Sequence, residues 1–137
     1  MSAQNGESPE RRSTLRILTM TGLLVGGSGI AVLWAAGVDF PVAVPPGLVI
    51  LLAGAAVVAF VRRPWAVGLG AFLGLFVTVG FLVSPTGLDN LSGDSGAAVA
   101  AGQAIQLVGV LMALVAGALA FRSERRRAHV GPATGVR

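Results

Sequence analysis

In a chain that is 54% apolar, the side chains able to do chemistry are the few polar ones set inside long apolar runs. Gln103 and Gln106 stand one helical turn apart in the stretch Ala97–Phe121. An amide surrounded by lipid must find its hydrogen-bond partner within the protein, because hydrocarbon offers none. Two roles fit such a pair. The amides can line a pore or a polar ligand site, with Thr78 of a neighbouring run as a third member. Alternatively they bind helices together, through bonds worth about 1 kcal/mol or less each. Gln106 falls on a run of small residues, which favours the second role.

Other candidates are weaker. Asp89, Asn90, Ser92, Asp94 and Ser95 crowd one polar stretch, but the bidentate glutamate and ordered alternation of a calcium loop are missing. They read as a flexible linker. Asn90-Leu91-Ser92 spells a glycosylation sequon by letter only. His129 sits in a basic tail with no partner to make it a ligand or a base. Phe72 and Phe76, four apart, suit a lipid-facing or packing pair better than a ligand groove. The absence of cysteine excludes disulfide relays, thiol nucleophiles and a quinone-linked disulfide-forming membrane enzyme.

No Asp, Glu, Lys, Arg or His lies inside an apolar run, although such residues carry proton relays and ion pathways in pumps. Small four-helix multidrug exporters depend on a glutamate embedded in the first helix, and this first helix has none. The polar and aromatic constellation of small fluoride channels is not found either. With no nucleophile, base or metal set converging, neither an enzyme nor a cofactor is expected.

Four apolar stretches must position these residues. Hydropathy and turn signals predict helices over about 15–36, 45–61, 65–83 and 97–121. The first follows Arg11, Arg12 and Arg16, and is too long for a signal-peptide core. Pro45-Pro46 and Pro64 suit the first turns of the second and third helices, where a missing N–H costs nothing. Arg62-Arg63-Pro64 leaves room only for a tight reversal, and Ser84–Gly96 is the longer loop. Residues 1–14 are expected to form a disordered tail and residues 122–137 a basic one, mobile from His129.

Small residues recur at helical spacing in three of these stretches. Thr19, Gly22, Gly26 and Gly29 form one face; Ala66, Gly70, Gly74 and Thr78 form another. Gly102, Gln106, Gly109, Ala113, Ala116 and Ala120 form the third. Such stripes let helix backbones approach closely in membranes. Opposite the third stripe, Ile105, Leu107, Val108, Leu111, Met112, Leu114, Val115 and Leu119 are bulky and suit lipid or a neighbour.

All ten basic residues are arginine, and the net charge is +4. Nucleic-acid binding would need a basic surface with reading residues beside it; here the arginines cluster at the ends of apolar runs. If the helices alternate in direction, every arginine falls on one side and Asp39, Asp89 and Asp94 on the other. The positive-inside rule then places both termini in the cytoplasm. Trp34, Phe40, Phe60, Trp65 and Phe121 suit interfacial anchors. Arg122, Arg125, Arg126 and Arg127 can contact anionic lipid heads at about 1 kcal/mol each.

The segments Pro45-Pro46-Gly47-Leu48-Val49, Arg62-Arg63-Pro64-Trp65 and Gln106-Leu107-Val108-Gly109 resemble those of uncharacterised small four-span membrane proteins of actinobacteria. The resemblance implies a protein of the cytoplasmic membrane and no particular activity. The expected fold is all-α, a four-helix transmembrane bundle with up-down topology. The expected role is a non-enzymatic accessory, assembly or scaffold subunit acting by helix association, with a membrane-protein partner or a second copy of itself. A small oligomeric channel or transporter for an uncharged or lipid-like solute is the alternative.

Overall fold

Proline and glycine divide the chain, and helices fill the intervals. The computed structural model describes residues 9–40 and 43–135, the last eight as backbone only. Its elements are α1 (Pro9–Ala35), α2 (Pro46–Phe60), α3 (Pro64–Val83), α4 (Gly87–Ser92) and α5 (Ala97–Gly135). Among the described residues there is no strand. Three helices, α1, α3 and α5, are long and apolar enough to cross a membrane. At 15 residues, α2 is apolar but shorter.

Helix boundaries follow backbone chemistry. Pro46 and Pro64 open α2 and α3, and Arg63 is extended, at φ −114° and ψ 151°, as a residue before proline must be. Val61 leaves the helix in a β conformation, yet its N–H still donates to Val57 O at 2.8 Å. Gly93 ends α4 in the left-handed region at φ +94°, the usual glycine device for stopping a helix.

Three expectations need correction. Residues 9–14, expected in a disordered tail, already belong to α1, because Glu10, Arg11 and Arg12 are good helix formers. The apolar run marks where lipid begins and not where the helix does; residues 1–8 lie outside the described residues. At the other end α5 continues past Phe121 to Gly135, so the tail expected to be mobile from His129 is helical over most of its length. Arg, Glu and Ala propagate a helix in water as Leu and Val do in lipid. The Ser84–Gly96 linker contains the short helix α4.

Packing is closest between α1 and α5. A Cβ on Gly22 would stand 2.6 Å from Ala113 N, and one on Gly29 would stand 2.5 Å from Gly102 O. Ascending residues of α1 thus meet descending residues of α5. On the next side of α5, a Cβ on Gly74 of α3 would stand 2.5 Å from Val110 O, and one on Gly117 would stand 2.8 Å from Val67 O, again in opposite order. Gly70 faces Thr19 and Val58. Each of the three small stripes is therefore occupied within the chain. Leu23, Leu51, Val58 and Val110 are fully buried between them.

The outward surface is apolar. Phe60, Phe72, Phe76, Val79, Leu82 and Val83 are all exposed, as are Ile105, Val108, Leu111, Val115 and Leu119 of the bulky side of α5; Leu107, Met112 and Leu114 of that side are instead half-buried, Leu114 against Gly74 of α3. A continuous exposed apolar surface of this kind marks a membrane or an interaction partner. Charge is segregated along the helix axes. Arg12, Arg16, Arg62 and Glu124 meet at one end, and Asp39 and Asn90 at the other. Arg137 lies outside the described residues.

Candidate functional site

The glutamine pair is the floor of a hollow that opens at the Asp39 end. Gln103 and Gln106 project from one face of α5, 4% and 9% exposed. Gln106 is held in register by its backbone, against which Gly29 of α1 packs. Gln103 Nε2 donates to Gln106 Oε1 at 3.1 Å. The bond uses one N–H and one lone pair, and each amide keeps further capacity, because a primary amide has two N–H donors and an oxygen that accepts two bonds.

A cavity of about 330 Å³ lies above them. Ile30, Leu33, Phe76, Val77 and Phe81 form apolar walls, while Asp39, Ser84, Thr86 and Asn90 bring polar groups. An adjoining hollow of about 370 Å³ shares Asp39, Thr86 and Asn90 and continues to Ser95 and Val99. Local structure sets these groups in place. Gly37, at φ +90°, turns the chain after α1 so that Asp39 and Phe40 fold back over the helix ends. In α4, Gly87 packs against Phe81, which carries Asn90 to the same mouth.

Toward the Arg end the cavity stops. Immediately past Gln106, Gly109 closes on Gly22 and Gly26, and the fully buried Leu23, Leu51 and Val110 fill the centre. The hollow is blind. Its chemistry is that of an apolar sleeve with two amides, able to donate and to accept, at its base. Such a site orients a ligand by hydrogen bonds and holds it by apolar contact. Among the described residues no three His, Cys, Asp or Glu side chains gather as a metal site needs.

The other residues singled out in the sequence fall elsewhere. Thr78 is not among the residues that line the cavity; its hydroxyl donates back to Gly74 O at 2.7 Å, a bond within its own helix. Gly22, Gly26 and Gly29 meet Gly102, Gly109 and Ala113 across the α1–α5 seam, and Gly70 and Gly74 face α1 and α5. Arg122, Arg125, Arg126 and Arg127 are exposed along the continuation of α5, with Arg125 over the Phe121 ring at 5.7 Å. Phe72 and Phe76 lie 6.3 Å apart and are both exposed, and Phe76 also lines the cavity. Ser92 hydrogen-bonds to Asp89 O at 2.8 Å, a local helix-end contact. The side chain of His129 lies outside the described residues.

Asp39, Thr86 and Asn90 were not legible as members of one site. They come from two separate loops, and helical periodicity does not register how loops fold over a bundle. No family model, curated protein or solved structure matches the chain.

Proposed function

We propose that the protein is an integral protein of the cytoplasmic membrane with four spans in up-down order and both termini inside, serving as a non-enzymatic accessory, assembly or scaffold subunit. One observation carries the reading: the centre is closed and apolar at Leu23, Leu51 and Val110, while the outside is apolar over its whole circumference. With that centre filled, and with no metal-binding group of side chains among the described residues, the molecule is read as acting by what it touches. Segregation of arginines and aspartates to opposite ends supports the orientation. The small stripes are already occupied by intrachain packing. Association therefore uses the bulky outward ridges, Phe72, Leu75 and Val79 on α3 and Val108, Leu111 and Val115 on α5.

Crosslinking in native membranes followed by purification in mild detergent tests the role. A defined partner or homo-oligomer is expected; recovery only as a lone monomer at every detergent strength refutes it.

A second reading rests on the hollow that reaches Gln103. The protein then binds, or in a rearranged or oligomeric state passes, a small uncharged or lipid-like solute. In proteoliposomes, Gln106→Leu abolishes uptake of such a solute and leaves the fold intact. Wild-type protein that moves no uncharged solute removes this reading.

A further inference from the structure

At the end opposite the glutamine hollow, Arg12, Arg16 and Arg62 converge with Pro9, Ser13 and Glu124 around a second cavity of about 330 Å³. The α1 members recur at steps of three and four, which sets them on one face of the helix. Arg62 arrives from the α2–α3 reversal and Glu124 from α5, so three separate parts of the chain build the walls. Three guanidinium groups against one carboxylate leave the hollow with a positive surplus.

Two of these groups are held in ways that favour an oxygen-rich anion. Arg16 Nη2 donates to the carbonyl oxygen of Val61, which ties its head to the end of α2 and leaves its remaining N–H groups for another acceptor. Arg12 Nε is shut away from solvent and has no hydrogen-bond partner among the described residues. A buried, unpaired N–H on a charged group is costly, and an acceptor placed in the hollow satisfies it. Guanidinium groups converging on one point match the several oxygens of a phosphate better than a single carboxylate. Beside the hollow in the chain, Ile17, Phe60 and Trp65 are exposed, Phe60 by 83%, so an acyl chain attached to that phosphate has an apolar surface to follow. By contrast, the arginines of the α5 extension stand on an open surface.

We propose that the Arg12–Arg16–Arg62 hollow binds a phosphate group, supplied either by a lipid headgroup or by a soluble phosphate ester. The proposal does not depend on the accessory role.

The test uses the full chain in maltoside detergent, with two probes. Phosphatidic acid is added and retained lipid is counted by native mass spectrometry; separately, inorganic phosphate is titrated by calorimetry. Wild type binds in at least one arm. R12Q/R62Q weakens that binding roughly tenfold or more, as expected for the loss of two charge-assisted contacts. R62Q alone, at an exposed turn that leaves the fold undisturbed, weakens it several-fold. The control R63Q, in the same exposed turn but outside the lining of the hollow, stays within about twofold of wild type. Lipid retention without phosphate binding assigns a headgroup, and phosphate binding assigns a soluble ester. No binding in either arm, an R62Q protein equal to wild type, or a control as weak as R12Q/R62Q overturns the proposal.

Discussion

Gly22 and Gly109 pack backbone to backbone. A Cβ on Gly109 would stand 2.6 Å from Gly22 O, and a Cβ on Gly22 would stand 2.6 Å from Gly109 O. Because the contact is reciprocal and made of main-chain atoms, no side chain can swing aside to relieve an added group.

Gly109→Val and Gly22→Val are each expected to force α1 and α5 apart and destabilise the fold by about 1–3 kcal/mol or more. Gly80→Ala, where an added Cβ meets nothing within 4 Å, is expected to be neutral or slightly stabilising. Unfolding by steric trapping or by denaturing detergent measures both. Equal stability of Gly109→Val and Gly80→Ala would show that the seam is not close-packed.

The glutamine pair should reveal itself by coupling. Gln103→Leu removes the donor to Gln106, and each single leucine substitution is expected to cost about 1 kcal/mol. The double variant should cost less than the sum of the singles, with a coupling of about 0.5–1 kcal/mol. A double-mutant cycle reads this, and strictly additive losses would mean that the two amides do not interact.

Orientation can be read with introduced thiols, because the chain has no cysteine. Asn90→Cys is expected to react on intact cells with a maleimide that cannot cross the membrane, whereas Arg63→Cys reacts only after lysis. The opposite pattern inverts the topology proposed above.

Access to the blind hollow makes a fourth expectation. A thiol at Gln103 should be modified from outside by a small methanethiosulfonate reagent. Adding Gly80→Phe, at an open position lining the cavity, should slow that reaction several-fold while stability changes by no more than about 0.5 kcal/mol. An unchanged rate would mean that the reagent reaches Gln103 by another route.

Much of the fold was legible because the chain uses strong punctuation. Pro64 and the arginines before it placed the start of α3 within a residue, and Pro45-Pro46 did the same for α2. The start of α1 and the end of α5 were not legible from hydropathy, which falls where the polar residues begin while helix propensity does not. The glutamines were expected to bond between helices, whereas their hydrogen bond joins Gln103 to Gln106 within α5, and it is the backbone of Gln106 that meets Gly29 of α1. Thr78 lies outside the cavity lining that contains both glutamines, because membership of a small-residue stripe does not fix where a side chain's polar group goes. One turn beyond Gly74, Thr78 finds its partner in its own helix. The same limit hid Arg12, Arg16 and Arg62 as one cluster, since their convergence depends on how the α2–α3 reversal folds against α1.

The brevity of α2 has a mechanical consequence. Fifteen residues reach about 22 Å, well short of a hydrocarbon layer of roughly 30 Å. In the four-span arrangement proposed above, a bilayer that thins to match this flank draws headgroups and water inward beside Gly47 and Phe40. Both residues line the glutamine hollow, so in that arrangement its entrance is wetted from the side as well as from above.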